Sequence, residues 1–196
     1  MNETARLETF SDGVFAIAAT LLILEIRIDA HGSVTRQLLH LWPSYAAYAI
    51  SFLTIGIMWI NHHTLFKQID RVDRTFLVLN VLFLMVIAFI PFPTQLLAGH
   101  LHHEAKAAAF FYGLVNIAMA CMFSAVWFYA ARGRRLIAED ADERTISGIS
   151  RSFRPGVPLY ILATLSALLS SWLALALFAG LALFYVLESS LLGRDA

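Results

Sequence analysis

The sequence has little of several things, and each shortage removes a class of explanation. Its one cysteine, Cys121, sits in an apolar run, so no intrachain disulfide can form. Only 14% of its residues are charged, and the formal net charge is zero, so nothing points to nucleic acid. The positive charge is nearly all arginine, twelve residues against two lysines. There is no nucleophile–base signature, no phosphate-binding glycine loop and no His-Glu-x-x-His. The sequence therefore predicts no enzyme, no catalytic residue, no resident cofactor and no metal centre. It has no clear internal repeat and no separate soluble domain. Glu3 and Glu8 spoil the basic stretch of a secretory signal, and no small-residue cleavage site follows. The first apolar segment is thus expected to be retained.

What is present is apolar surface. Of the 196 residues 59% are hydrophobic, with mean hydropathy +0.70, which predicts an integral membrane protein. Helices are expected at 8–28, 41–63, 75–97, 107–131, 155–170 and 172–191. The predicted fold is all-α: one transmembrane domain of six helices over 1–196. Trp42, Pro43 and Tyr45 mark an interfacial start. Pro91-Phe-Pro93 should break the third helix near its far end. Asn80 and Asn116 should bond between helices. The stretch 155–187 carries no charge. As one helix it would be roughly 50 Å long, so two short helices turning near Ser170-Ser171-Trp172 fit better.

With six spans, Arg6, Lys67, Arg71, Arg74, the six arginines of 132–154 and Arg194 fall on one side. Only Arg27, Arg36 and Lys106 fall on the other. Basic residues in short loops mark the cytoplasm, so both termini are predicted to be cytoplasmic.

The first span carries a difficulty. Asp12 and Glu25 bracket only the uncharged residues 13–24, roughly 20 Å of helix in a hydrocarbon core of about 30 Å. If the helix spans, a carboxylate lies below the headgroups, where a charge faces a bundle interior or a water-filled path. Gly13, Ile17, Leu21, Leu24 and Ile28 make one helical stripe, flanked by the small residues Ala16, Ala18, Ala19 and Thr20. The stripe serves either a well-packed first helix or symmetry-related copies around a pore.

Asp12, Ser11, Asn61, His62 and His63 could meet near the cytoplasmic face with Arg6 close by. They would form a hydrogen-bonded brace between the first two helices, or else a cation entry, a proton relay or a metal site. Adjacent helical histidines point roughly 100° apart, so His62 and His63 do not easily share one ion. His100, His102, His103 and Glu104 read as a solvated link that could bind divalent ions adventitiously.

The run Arg6-x-x-x-Phe10-Ser11-Asp12-x-x-x-Ala16-Ile17 resembles the signature of the lysosomal potassium channel family, in its single-unit prokaryotic branch. Trp59-x-x-His62-His63 and Asn80…Pro91-Phe92-Pro93-Thr94 resemble it too. The likeness covers the first three spans. It implies a homotetramer in which four first helices line a central pore. That family lacks a carbonyl filter, and Thr-Val-Gly-Tyr-Gly is absent here. The implied constriction is Ile17, Leu21 and Leu24, with Thr20 as a hydroxyl layer. The implied polar brace is Arg6, Ser11, Asp12 and either His62 or His63. The expected activity is a potassium-permeable cation channel of a prokaryotic cell membrane, passing monovalent cations with modest preference for potassium over sodium. Apolar rings can gate by dewetting, and Glu25 and Asp29 could concentrate cations at the outer mouth. Two rivals come from other classes: a cation/proton secondary transporter using Asp12 and His62 or His63, and a small membrane enzyme or metal-handling protein using the histidine link.

Overall fold

The computed structural model describes residues 3–26, 33–100 and 104–192, with side chains as far as 187. Among them the regular structure is helical apart from a single β-bridge. The helices are α1 (Glu3–Leu21), α2 (Val34–His40), α3 (Trp42–Phe66), α4 (Arg74–Phe89), α5 (Pro91–His100), α6 (Ala105–Ala131), α7 (Glu143–Phe153), α8 (Gly156–Ser166) and α9 (Ser171–Leu192). A 3₁₀ turn, Leu22–Glu25, extends α1.

Four helical stretches among the described residues are long and apolar enough to cross a membrane: Glu3–Glu25, Trp42–Phe66, Arg74–His100 and Ala105–Arg134. Their boundaries follow local chemistry. α1 begins at Glu3 rather than residue 8, because Thr4 and Leu7 prolong its buried face and the Thr4 hydroxyl donates to Asp70 O at 3.4 Å. Asp73 caps α4 by accepting from Phe76 N at 2.8 Å, which satisfies a donor the helix leaves orphaned. Between α4 and α5, Pro91 has no N–H to continue the ladder, and the track is interrupted at Ile90. α8 has 11 residues, about 16 Å of helix, which is roughly half a hydrocarbon core.

The bundle is built on α6, which packs against α4, α5, α8 and α9. Met119, Phe123 and Trp127 on α6 are buried with Phe83 of α4. At the α6–α8 crossing a Cβ on Gly113 would sit 2.7 Å from Thr164 Cγ2; only glycine lets the backbones approach that closely. Hydroxyls tie three helices inside the bundle: Ser51 of α3 bonds Thr94 Oγ1 of α5 at 2.8 Å and Tyr112 OH of α6 at 3.0 Å. Asn116 does not bond between helices as expected. Its Nδ2 donates to Tyr112 O at 2.9 Å, one turn back in its own helix.

At the end of the bundle that holds the start of α1 and the end of α3, two links are clasped together. Ile69 and Ile137 form the antiparallel bridge. Asp70 N donates to Leu136 O at 3.1 Å and Ala138 N to Gln68 O at 2.9 Å. Gly133 and Arg134 both take left-handed backbone angles, φ 62° and 53°. Arg134 holds this turn by donating from Nη2 to Ala138 O, Glu139 O and Ala141 O. α7 lies at the same end. Its Phe153 meets Phe123 and Trp127 edge-on, and Trp127 Nε1 donates to Ser150 Oγ at 3.0 Å.

Candidate functional site

α1 has two faces. Thr4, Leu7, Ser11, Phe15 and Ala18, with Leu22 in the 3₁₀ turn, are buried against α3 and α4. The opposite face carries Gly13, Ile17, Thr20, Leu21 and Leu24, and it is exposed: Ile17 61%, Leu21 41% and Leu24 62%. The Thr20 hydroxyl donates to Ala16 O at 2.9 Å and Ile17 O at 3.0 Å. Its proton is thereby turned into the helix, and its lone pairs face outward. Glu25 closes the turn with Oε2 buried and unpaired among the described residues. Asp29 and Ile28 lie outside the described residues.

The residues grouped as a brace form two separate hydrogen-bonded sets. The first is fully buried. Ser11 Oγ donates to Leu7 O at 2.8 Å, which commits its only proton. It must therefore accept from Asn80 Nδ2, at 3.0 Å. That fixes the Asn80 amide, so its Oδ1 faces His62 Nε2 at 3.0 Å. A carbonyl oxygen only accepts, so Nε2 carries a proton. The imidazole stacks on Phe66, with centroids 4.4 Å apart, and Phe83 and Phe15 lie at 5.9 and 5.4 Å. Its Nδ1 has no partner among the described residues. This chain of bonds joins α1, α4 and α3 and ends among rings.

The second set is open to its surroundings. Asp12 Oδ1 accepts from Trp59 Nε1 at 2.8 Å. His63 Nδ1 bonds Glu8 Oε1 at 2.9 Å, with His63 48% and Glu8 30% exposed. The Trp59 and His63 rings stack at 6.3 Å. Asp12 thus meets a tryptophan, not a histidine. His62 joins the buried set and His63 the open one, and neither hydrogen-bonds Asp12. Arg6 is exposed at the same end and pairs with nothing among the described residues. Sequence reasoning left Trp59 and Glu8 out of the brace. Both were reachable by spacing: Trp59 and His63 lie one turn apart on α3, as Glu8 and Asp12 do on α1, which sets the two pairs side by side.

Of the histidine link only His100 and Glu104 are among the described residues. His100 Nδ1 bonds Leu96 O at 2.9 Å within its own helix, and His102 and His103 lie outside the described residues. No group of three histidine, cysteine or acidic residues among the described residues could hold a metal ion.

The family model described as "Endosomal/lysosomal potassium channel TMEM175" matches residues 6–91. A potassium channel of Chamaesiphon minutus is 43% identical over 195 residues, covering 96% of each chain. The chain belongs to the TMEM175 family. A potassium channel of Streptomyces collinus is 45% identical over 190 residues, covering 94% of this chain and 92% of its own. The crystal structure of a lysosomal potassium-selective channel TMEM175 homolog from Chamaesiphon minutus superposes with a TM-score of 0.88 at 40% identity, over 95% of this chain and 98% of that one. Membership of the TMEM175 family makes this an integral membrane protein of a channel family, not an enzyme. The segment matched by the TMEM175 model holds α1, α3 and α4, and with them every member of both polar sets.

Proposed function

We propose that the protein is a potassium-permeable cation channel of a prokaryotic cell membrane. It assembles as a homotetramer around four copies of α1. Each chain crosses six times with both termini cytoplasmic, and the short α8 and the turn after it form the fifth crossing. The observation that carries this reading is the face of α1 formed by Ile17, Leu21 and Leu24. It is exposed on the single chain, although α1 is gripped on its other side by α3 and α4. Lipid is a poor cover for it, because Asp12 and Glu25 lie too close together to reach both headgroup regions. Copies of the same helix around an aqueous axis solve both problems.

In this arrangement Ile17, Leu21 and Leu24 form stacked apolar rings that set pore width and oppose wetting. Thr20 presents hydroxyl lone pairs to a passing cation. Potassium, larger and less strongly hydrated than sodium, loses less on entering such a constriction, so selectivity is modest. Glu25 and Asp29 raise cation concentration at the outer mouth. The buried Ser11–Asn80–His62 chain and the open Asp12–Trp59 and Glu8–His63 pairs hold α1 against α3 and α4, with Arg6 at the inner mouth. The relatives named above as potassium channels support this reading. A cation/proton exchanger working through Asp12 and His62 or His63 is less well supported, since Asp12 bonds Trp59 rather than either histidine and His62 Nδ1 ends among phenylalanines.

The test is permeation in bi-ionic potassium/sodium solutions. Ile17→Asn should raise current and lower discrimination between the ions, because four dry side chains at one level become wettable. Ala19→Ser, half-buried on the other side of α1, should change both far less. The opposite ranking would remove this stripe from the pore. Light scattering in mild detergent should give a tetramer.

A further inference from the structure

The clasped end of the bundle holds two guanidinium groups that the channel reading leaves without a role. Arg132 and Arg135 line an open concavity with Tyr129 and Gly133, just where the Ala105–Arg134 span runs out. The concavity is built, not incidental. The Asp73 carboxylate takes the Tyr129 hydroxyl proton at 2.7 Å. The phenol oxygen is then left to accept from Arg135 Nη1 at 3.0 Å. The Arg135 guanidinium also lies over the Tyr129 ring, 5.1 Å from its centroid. One edge of the group is thereby fixed, and its other N–H groups remain to donate.

Two carboxylates at this end pair with other arginines. Glu139 pairs with Arg71 at 3.7 Å and Glu143 with Arg134 at 4.0 Å. Both Asp73 oxygens are used, one by Phe76 N and one by Tyr129. Among the described residues neither Arg132 nor Arg135 has a carboxylate within ion-pair distance. Arg135 feels the Asp73 carboxylate across Tyr129, but two guanidiniums without a direct ion pair at the end of a candidate span would come to headgroup depth. Arginine's planar fork suits a phosphate, and anionic lipid attracts such groups.

We propose that Arg132 and Arg135, oriented through Tyr129, bind the phosphate of an anionic phospholipid in the leaflet facing this end. The site rests on the reading of the 105–134 helix as a membrane span. It is independent of where the pore lies.

The test is lipid retention by the purified full chain, read by native mass spectrometry after equilibration with equal phosphatidylglycerol and phosphatidylcholine. The unmodified protein should retain phosphatidylglycerol preferentially. Arg132→Gln with Arg135→Gln should lower that preference by about fivefold per guanidinium removed. Tyr129→Phe, which keeps both charges but releases Arg135, should lower it partly. Arg144→Gln with Arg151→Gln on α7 removes equal charge from the same end and should leave it nearly unchanged. Equal retention by the Arg132/Arg135 variant would overturn the site. So would an equal loss in the α7 variant, which would mean diffuse attraction. Displacement of the lipid by inorganic phosphate alone would show a soluble phosphate as the ligand instead. None of these readouts needs ion flux, so failure here is separable from failure of the channel reading.

Discussion

His62 and His63 are consecutive residues, yet they sit under opposite physical rules. His62 is sealed among Phe15, Phe66 and Phe83, and its one bond ends a chain running through Asn80 to Ser11. His63 is half exposed and shares an open edge with Glu8, Trp59 and Asp12. Inside the bundle a polar group stripped of its partner pays the full cost of desolvation, on the order of 1–3 kcal/mol. At the open edge, solvent or headgroups replace a lost partner, and such pairs are worth about 0–1 kcal/mol. The buried set therefore governs whether α1 is seated at all. The open set adjusts how its end is held.

The sharpest way to break this contrast is to remove the middle of the buried chain. Asn80→Leu strands the His62 Nε2–H and takes the donor from the Ser11 oxygen, whose own proton stays on Leu7 O, and should cost about 2–3 kcal/mol, read as thermal unfolding of the detergent-solubilised protein. His62→Phe suits the surrounding rings but leaves Asn80 Oδ1 unmet, so it should cost about 1–2 kcal/mol. If both variants unfold like the unmodified protein, the buried chain is not what seats α1. Asp12→Asn keeps an acceptor for Trp59 and should cost less than about 1 kcal/mol of stability. Any larger effect should appear in conduction. Glu8→Gln and His63→Gln should each lie within about 0.5 kcal/mol of the unmodified protein. If they cost as much as Asn80→Leu, the division into two sets is wrong.

A pH measurement gives the smallest effect, away from both sets. The Phe76 N–H, and after it the Tyr129 hydroxyl, hold the Asp73 carboxyl below its usual range. A depressed folded-state value means that the stabilisation is fully present above the ordinary aspartate value of about 4. It is lost as pH falls through the lower, folded value. Asp73→Asn should therefore lower stability most at neutral pH, and its profile should converge with that of the unmodified protein as pH falls below about 4.

Much of this was legible in the sequence. Apolar run lengths marked the long helices, and the spacing of Gly13, Ile17, Leu21 and Leu24 picked out the face of α1 that is left open. The 100° between neighbouring helical residues already argued against His62 and His63 sharing a ligand, and the two rings bond different residues, Asn80 and Glu8. What spacing could not give was the depth of each residue, which depends on how α3 rotates against α1 and α4. That rotation sends Trp59 to Asp12 and leaves Asn80 for His62. Asn116 misled for a related reason. A helical asparagine in an apolar run can satisfy its amide on its own backbone, and no periodicity reveals which partner it takes. The Ser51–Thr94–Tyr112 hydroxyls escaped notice because each is unremarkable alone and becomes a network only after packing.

The clasp between the two links also bears on how the chain is made. Gln68 and Asp70 leave the ribosome well before Leu136 and Ala138, the residues that complete their backbone pairing. Until α4, α5 and α6 have all been synthesised, the first link lacks its backbone partners Leu136 and Ala138. Closure of the clasp thus reports that the middle of the bundle has been delivered in register. A chain stalled in α6 would carry α1 and α3 complete in sequence, with the Thr4–Asp70 bond available but without the backbone pairing to Leu136 and Ala138.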